Sequence, residues 1–252
     1  MYKKTGLSLL LLIFLFSSCQ TINKSRAELG IKQYNVFFSF DDGPDMDTTP
    51  KLLEVLEKYQ IKALFCLLGI NAEQYPEIVR QIYDKGHCII NHGYYDEHSI
   101  GMKDDEFRNN IILGEEVISL SLGHNNRQKL YRPHGGFYNS RHIKICSDED
   151  YIIVPVTVRV YDAVVTSAKW EKIKDKAIKK IINDNGGVIL LHDCRGSYLA
   201  KDISLKKNPD SSFNRLWIPQ IMEEIIIALT EKGFVFPDPD VYVNLLLNQV
   251  TP

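Results

Sequence analysis

Short apolar runs alternate with amphipathic stretches from residue 36 to residue 236, and nothing else in the chain constrains its fold so strongly. Val36–Phe40, Ala63–Leu68, Cys88–Ile90, Leu130–Tyr131, Tyr151–Val160 and Gly187–Leu191 are short and apolar, as buried strands are. Between and after them, Thr49–Tyr59, Pro76–Asp84, Asp105–Leu122, Trp170–Ile182 and Leu216–Glu231 read as helices. The first carries Leu52, Leu53 and Leu56 on one face, and Phe234–Phe236 closes the pattern. Strict alternation predicts an α/β fold with a mostly parallel sheet or barrel. At 252 residues and 44% apolar content, the chain can bury one sizeable core, so a single domain is expected.

The first 19 residues stand apart. Lys3-Lys4 precedes the apolar run Leu9–Phe16 and the small residues Ser17-Ser18 before Cys19. A positive start, a short apolar stretch and small residues describe an export signal, too short to span a bilayer. Small residues immediately before a cysteine resemble a bacterial lipobox, which implies cleavage before Cys19, lipidation there and a membrane as partner. A plain cleaved signal or an uncleaved anchor is the alternative, and in each version the domain is exported, on the periplasmic or cell-surface side. Residues 20–33 are polar and aperiodic, as a tether is; residues 34–237 form the domain, and 238–252 read as a C-terminal tail. The formal charge of −2, with no basic stripe, excludes a nucleic-acid partner on electrostatic grounds. No protein partner is implied. Cys66, Cys88, Cys146 and Cys194 show no metal-finger spacing and no pairing that sequence can assign.

The residues that carry chemistry interrupt strand ends. Asp41-Asp42-Gly43-Pro44 follows directly on Val36–Phe40. Adjacent carboxylates at the end of a buried strand are costly without a cation or positive side chain between them, although such a pair can also form a turn capping the helix after Thr48. His92 ends a second strand, with Asp96 and His98 just beyond. Arg132-Pro133-His134-Gly135-Gly136 follows a third, Asp162 a fourth, and Leu191-His192-Asp193 a fifth.

Five such motifs in this order resemble the carbohydrate esterase family 4 polysaccharide deacetylases, the NodB-homology domain, over about residues 34–237. The resemblance implies a distorted (β/α) barrel of the polysaccharide deacetylase type, with its site at the carboxyl ends of the strands. It implies a divalent metal, zinc first, held by Asp42, His92 and a third ligand. In the family that ligand is a histidine four residues after the first. Here Asp96 stands there, and His98 lies six residues on; the reading takes His98, with Asp96 the alternative. Asp41 is then the base, Arg132 orients it, His192 is the acid that protonates the leaving amine, and Asp162 orients His192. Leu191 would wall the acetyl pocket, and His134 and Gly135 would line the sugar cleft. The fourth motif has Val165 and Thr166 where the family has Asp-Trp; Tyr198 or Phe213, in the long polar stretch 195–213, would replace that wall. The implied activity is removal of N-acetyl groups from an N-acetylglucosamine-containing envelope polysaccharide. An O-acetyl esterase and a non-catalytic glycan-binding lipoprotein are the competing readings.

Overall fold

The structure, a computed structural model, describes residues 20–21, 25–195, 203–208 and 210–250. The signal-like segment with Cys19, and Tyr198, lie outside the described residues. A two-residue strand β1 (Gln20–Thr21) pairs antiparallel with β6 (Phe137–Tyr138). The other strands are β2 (Val36–Gly43), β3 (Leu64–Leu67), β4 (Cys88–Asn91), β5 (Leu130–Tyr131), β7 (Ile152–Ile153), β8 (Val158–Arg159) and β9 (Gly187–His192). These seven form one parallel sheet in the order β7-β5-β4-β3-β2-β9-β8.

That order explains the one strand the alternation misjudged. Tyr151–Val160 reads as a single strand, yet its two ends belong to opposite edges of the sheet. Six strand gaps of about 4.8 Å would hold the edges of a flat sheet about 29 Å apart. The five steps from Ile153 to Val158 reach at most about 18 Å. The sheet must therefore curl until its edges nearly meet, giving the incompletely closed, distorted barrel expected from the sequence. Pro155, which cannot donate to a ladder, sits in the link between the two strands.

Helices α1 (Thr49–Lys58), α2 (Gly69–Gln74), α3 (Pro76–Asp84), α4 (Asp104–Leu122), α5 (Ser140–Asp148) and α6 (Trp170–Asp184) follow in order. They are joined by α7 (Ile203–Lys207), α8 (Ile218–Thr230) and α9 (Pro239–Val250). Alternate residues of the strands feed two cores. Phe38, Phe40 and Phe65 face outward onto the apolar faces of α1, α6 and α8. Phe37, Leu64 and Val188 face inward and meet Leu29, Ile31, Tyr242 and Leu246. Two expectations are thereby corrected. The stretch read as a tether contributes Leu29 and Ile31 to the core, and the stretch read as a tail carries α9, whose Tyr242 hydroxyl donates to the Pro155 carbonyl at 2.7 Å. A barrel interior needs a plug where its strands begin, and these two segments supply it. The opposite, carboxyl end is left for polar groups. Among the described residues no helix is long and apolar enough to cross a membrane.

Candidate active site

β2 lies between β3 and β9 near the middle of the sheet, and all eight of its residues are buried. Consecutive strand residues normally point to opposite faces. Here the pairing with β3 slips between Asp41 and Gly43, and Asp42 takes a left-handed backbone with φ of 73°. That conformation costs a non-glycine residue about 1 kcal/mol or more, and it turns both carboxylates toward one mouth. Asp41 sits level with His192 on β9, so one end of the sheet gathers base and acid candidates together.

Asp41 is held by Arg132, whose Nη1 donates to its Oδ1 at 2.7 Å and to the Ser39 hydroxyl at 2.8 Å. Arg132 Nε donates to the Val154 carbonyl at 3.3 Å, and the whole guanidinium is buried. Burial alone would raise the Asp41 pKa; the guanidinium, with His92 and His192, outweighs it and holds the carboxyl below its ordinary range.

Asp42, His92 and His134 each turn one ligand atom toward a common point, all within 4.8 Å of one another and all buried. The third position, expected from His98 or Asp96, is filled in this cluster by His134, which the sequence reading put in the sugar cleft. Asp96 Oδ1 meets the same His134 Nε2 that lies 3.9 Å from Asp42 Oδ1. His98 is exposed and packs edge-on against the His134 ring at 5.9 Å. The reason is local: a single 3₁₀ turn at His134–Gly136, with Gly135 at φ 63°, folds His134 back over the sheet end. A side chain at Gly135 would collide with the His98 ring.

The cluster fits a divalent cation. His92 Nδ1 lies 2.7 Å from the Arg132 carbonyl, which can only accept, so Nδ1 carries the proton. The lone pair of Nε2 then faces Asp42 Oδ1 at 3.4 Å, two acceptors confronting one another. His134 Nδ1 is buried with no partner. One carboxylate and two imidazoles with room for a fourth ligand is a donor set that suits zinc.

On the other side, His192 Nδ1 pairs with Asp162 Oδ1 at 3.0 Å, and the His192 amide donates to Asp162 Oδ2 at 2.9 Å. Burial works against charge on this imidazole, but Asp162, followed by Asp42 and Asp41, raises its pKa to about 9. Sequence reasoning missed Arg215. Its Nη2 donates to Asp162 Oδ2, its Nη1 to the Asp162 carbonyl at 3.0 Å and its Nε to the His192 carbonyl at 3.1 Å. A lone arginine ahead of an apolar helix carries no motif; only the hint of a charge beside Trp217 was there to read.

Asp41, Asp42, His92, His134, Asp162 and His192 border a cleft of 510 Å³, lined also by Gly135, Leu190, Phe213 and His98. Leu191, expected in its wall, is instead in the outer core with Phe40, because Leu190 and His192 share the inner face of β9 and Leu191 points the other way. Leu190 is the residue at the cleft. Beneath it, Thr49 donates to Asp193 Oδ2 at 2.6 Å, and this buried carboxyl lies against Gly43. A Cβ on Gly43 would stand 2.5 Å from Asp193 Oδ2. Gly43→Ala is therefore expected to cost about 1–3 kcal/mol, read as a lower urea midpoint; an unchanged midpoint would refute the crowding.

The sequence model of the polysaccharide deacetylase family matches residues 31–154. Over a longer span, the solved Bc1960 peptidoglycan N-acetylglucosamine deacetylase is 30% identical, with a TM-score of 0.65 over 83% of this chain and 88% of its own. The chain belongs to the polysaccharide deacetylase family. Among this family's members, a peptidoglycan-N-acetylglucosamine deacetylase of Bacillus cereus is 35% identical over 167 residues, 65% of this chain and 58% of that protein. This chain thus spans less than two thirds of that relative. A chitooligosaccharide deacetylase of Sinorhizobium fredii is 25% identical over 207 residues, 80% of this chain and 88% of that protein.

Proposed function

We propose that this chain is a metal-dependent N-deacetylase of an N-acetylglucosamine-containing envelope polysaccharide. Peptidoglycan is the first candidate and a chitin-like polymer the next, as the named activities of its relatives support. One observation carries the reading: an ionised carboxylate, a three-donor cluster and a raised-pKa imidazole converge on one cleft. A divalent ion there, zinc by the donor set, would polarise the amide carbonyl and make water a stronger acid. Asp42, His92 and His134 would hold it. Asp41, kept ionised by Arg132, takes the proton of the attacking water. His192 gives its proton to the amine nitrogen as the carbon–nitrogen bond breaks, and Asp162 with Arg215 keeps that imidazole charged and aimed. Leu190 offers an apolar wall to the acetyl methyl. The signal-like sequence of residues 1–19, ending on Cys19, supports work outside the cytoplasm on a membrane tether.

Zinc-loaded protein is expected to release acetate from an N-acetylglucosamine oligomer. His134→Ala is expected to weaken zinc binding by more than the roughly 10–100-fold typical of losing an outer partner, whereas His98→Ala keeps the metal. Zinc content by mass spectrometry of the native protein decides it; loss in His98→Ala alone would return the third position to His98.

A further inference from the structure

Arg159 stands at the end of β8, half-buried, where the catalytic cleft meets a second cavity of 590 Å³. Its guanidinium presses against Gly136 so closely that a Cβ there would overlap Nη2. Its bonds go only to neutral acceptors, the carbonyls of Gly135 at 3.2 Å and Gly136 at 3.5 Å. Its Nε is buried with no partner, and among the described residues no acid forms an ion pair with it. Three acids of the cleft are already engaged, Asp41 with Arg132, Asp96 with His134, and Asp162 with His192 and Arg215, while Asp42 belongs to the three-donor cluster, where a divalent cation would offset its charge. Arg195, at the same cleft, donates to the Ser212 hydroxyl and lies over the Phe213 ring, and no described acid pairs with it either. The second cavity continues the sign, with Arg26, Lys176 and Lys180 beside Arg159, against Glu28 and Asp184. Among the described residues, Arg159 and Arg195 are the cleft arginines with no paired acid.

A neutral polymer laid along this cleft would cover Arg159, which has no ion-paired acid among the described residues and among acids feels only Asp41, already bound by Arg132, so the covering costs binding. A carboxylate on the polymer would meet a planar fork of donors already fixed by Gly135 and Gly136. His134 directly precedes that glycine pair, so such a carboxylate belongs to the reacting sugar or its neighbour. We propose that Arg159, at the junction of the two cavities, recognises a carboxylate of the glycan, and that the preferred substrate is an acidic N-acetylated glycan rather than a neutral one. This rests on the deacetylase reading above and narrows its substrate class.

The test compares an N-acetylmuramic-acid-containing disaccharide with its methyl ester, which is neutral and nearly the same shape. Calorimetric titration of the zinc-loaded protein with the de-N-acetylated forms of this pair, which cannot turn over, is expected to give a Kd about 10-fold or more lower for the acid, a gap that narrows in added salt. Arg159→Gln is expected to remove most of that gap. If this variant does not fold, Arg159→Lys carries the test, with a drop in preference of about 3-fold or more expected from loss of the fork. Equal Kd values in the wild type, or a preference unchanged in the variant, would overturn the inference. Acetate release measured alongside keeps the two readings apart. Release at equal kcat/KM from acid and ester, with equal Kd values, overturns carboxylate recognition and leaves the deacetylase standing. A carboxylate preference in binding with no release from any N-acetylated glycan supports the recognition and overturns the deacetylase.

Discussion

Asp41→Asn is expected to lower acetate release by about 10²–10⁴-fold while the protein keeps its zinc, because the variant loses only the group that accepts water's proton. Asp41 stands outside the three-donor cluster and is bound instead by Arg132 at 2.7 Å. Asparagine preserves the shape but not the charge, so the buried guanidinium is left uncompensated, at a cost of about 3–5 kcal/mol in stability. Rates should therefore be measured well below the variant's Tm, with zinc content measured on the same sample. Full activity in Asp41→Asn would remove it as the base. Loss of zinc together with activity would instead assign it to the metal.

Asp162→Asn is expected to change the pH profile rather than the metal. His192 must carry a proton to serve as the acid, and its pKa is raised to about 9, so wild-type activity should hold up to that pH and fall above it. The largest opposing influence is burial, and Asp162 is the strongest of the carboxylates that overcome it; Asp42 and Asp41 add smaller pulls. Removing Asp162 leaves Arg215 facing the imidazole across the lost charge. The alkaline limb should then move down by at least about two pH units. At pH 8, an imidazole with a pKa near 6.5 is only about 3% protonated, so kcat should drop about 30-fold there and much less at pH 6. The same raised pKa bears on stability. The charged pair contributes fully below the unfolded pKa of about 6.5, and that contribution is lost as pH rises through about 9. A profile identical to wild type would dissociate Asp162 from the proton transfer.

Much of this arrangement was legible because parallel strands buried on both faces leave little freedom in where polar residues can stand. Asp41, Asp42, His92, Arg132, Asp162 and His192 each break an apolar run at its carboxyl end, and all six line the cleft. What sequence could not deliver was direction. Counting residues from His92 favoured Asp96 or His98; both reach the cleft and pack against His134, but it is the turn at Gly135 that brings His134 itself into the three-donor cluster. Leu191 and Leu190 are chemically alike, so only the pleat of β9 tells which meets the cleft. Arg215 was hidden because its partners are 23 and 53 residues away. The split of Tyr151–Val160 was hidden too, since a run that bridges the two edges of a curled sheet has the same β-branched composition as a strand within it.

That bridging run has a consequence for how the cleft keeps its width. Val154 and Val156 lie in it, both facing the cleft, and the Val154 carbonyl accepts from Arg132 Nε. The link thus works as the clasp of a hoop: its length sets the circumference of the barrel, and the same few residues brace the arginine that steadies the base. Residues inserted there would loosen the hoop and unseat Arg132 together, so the size of the opening and the charge state of Asp41 cannot be tuned independently.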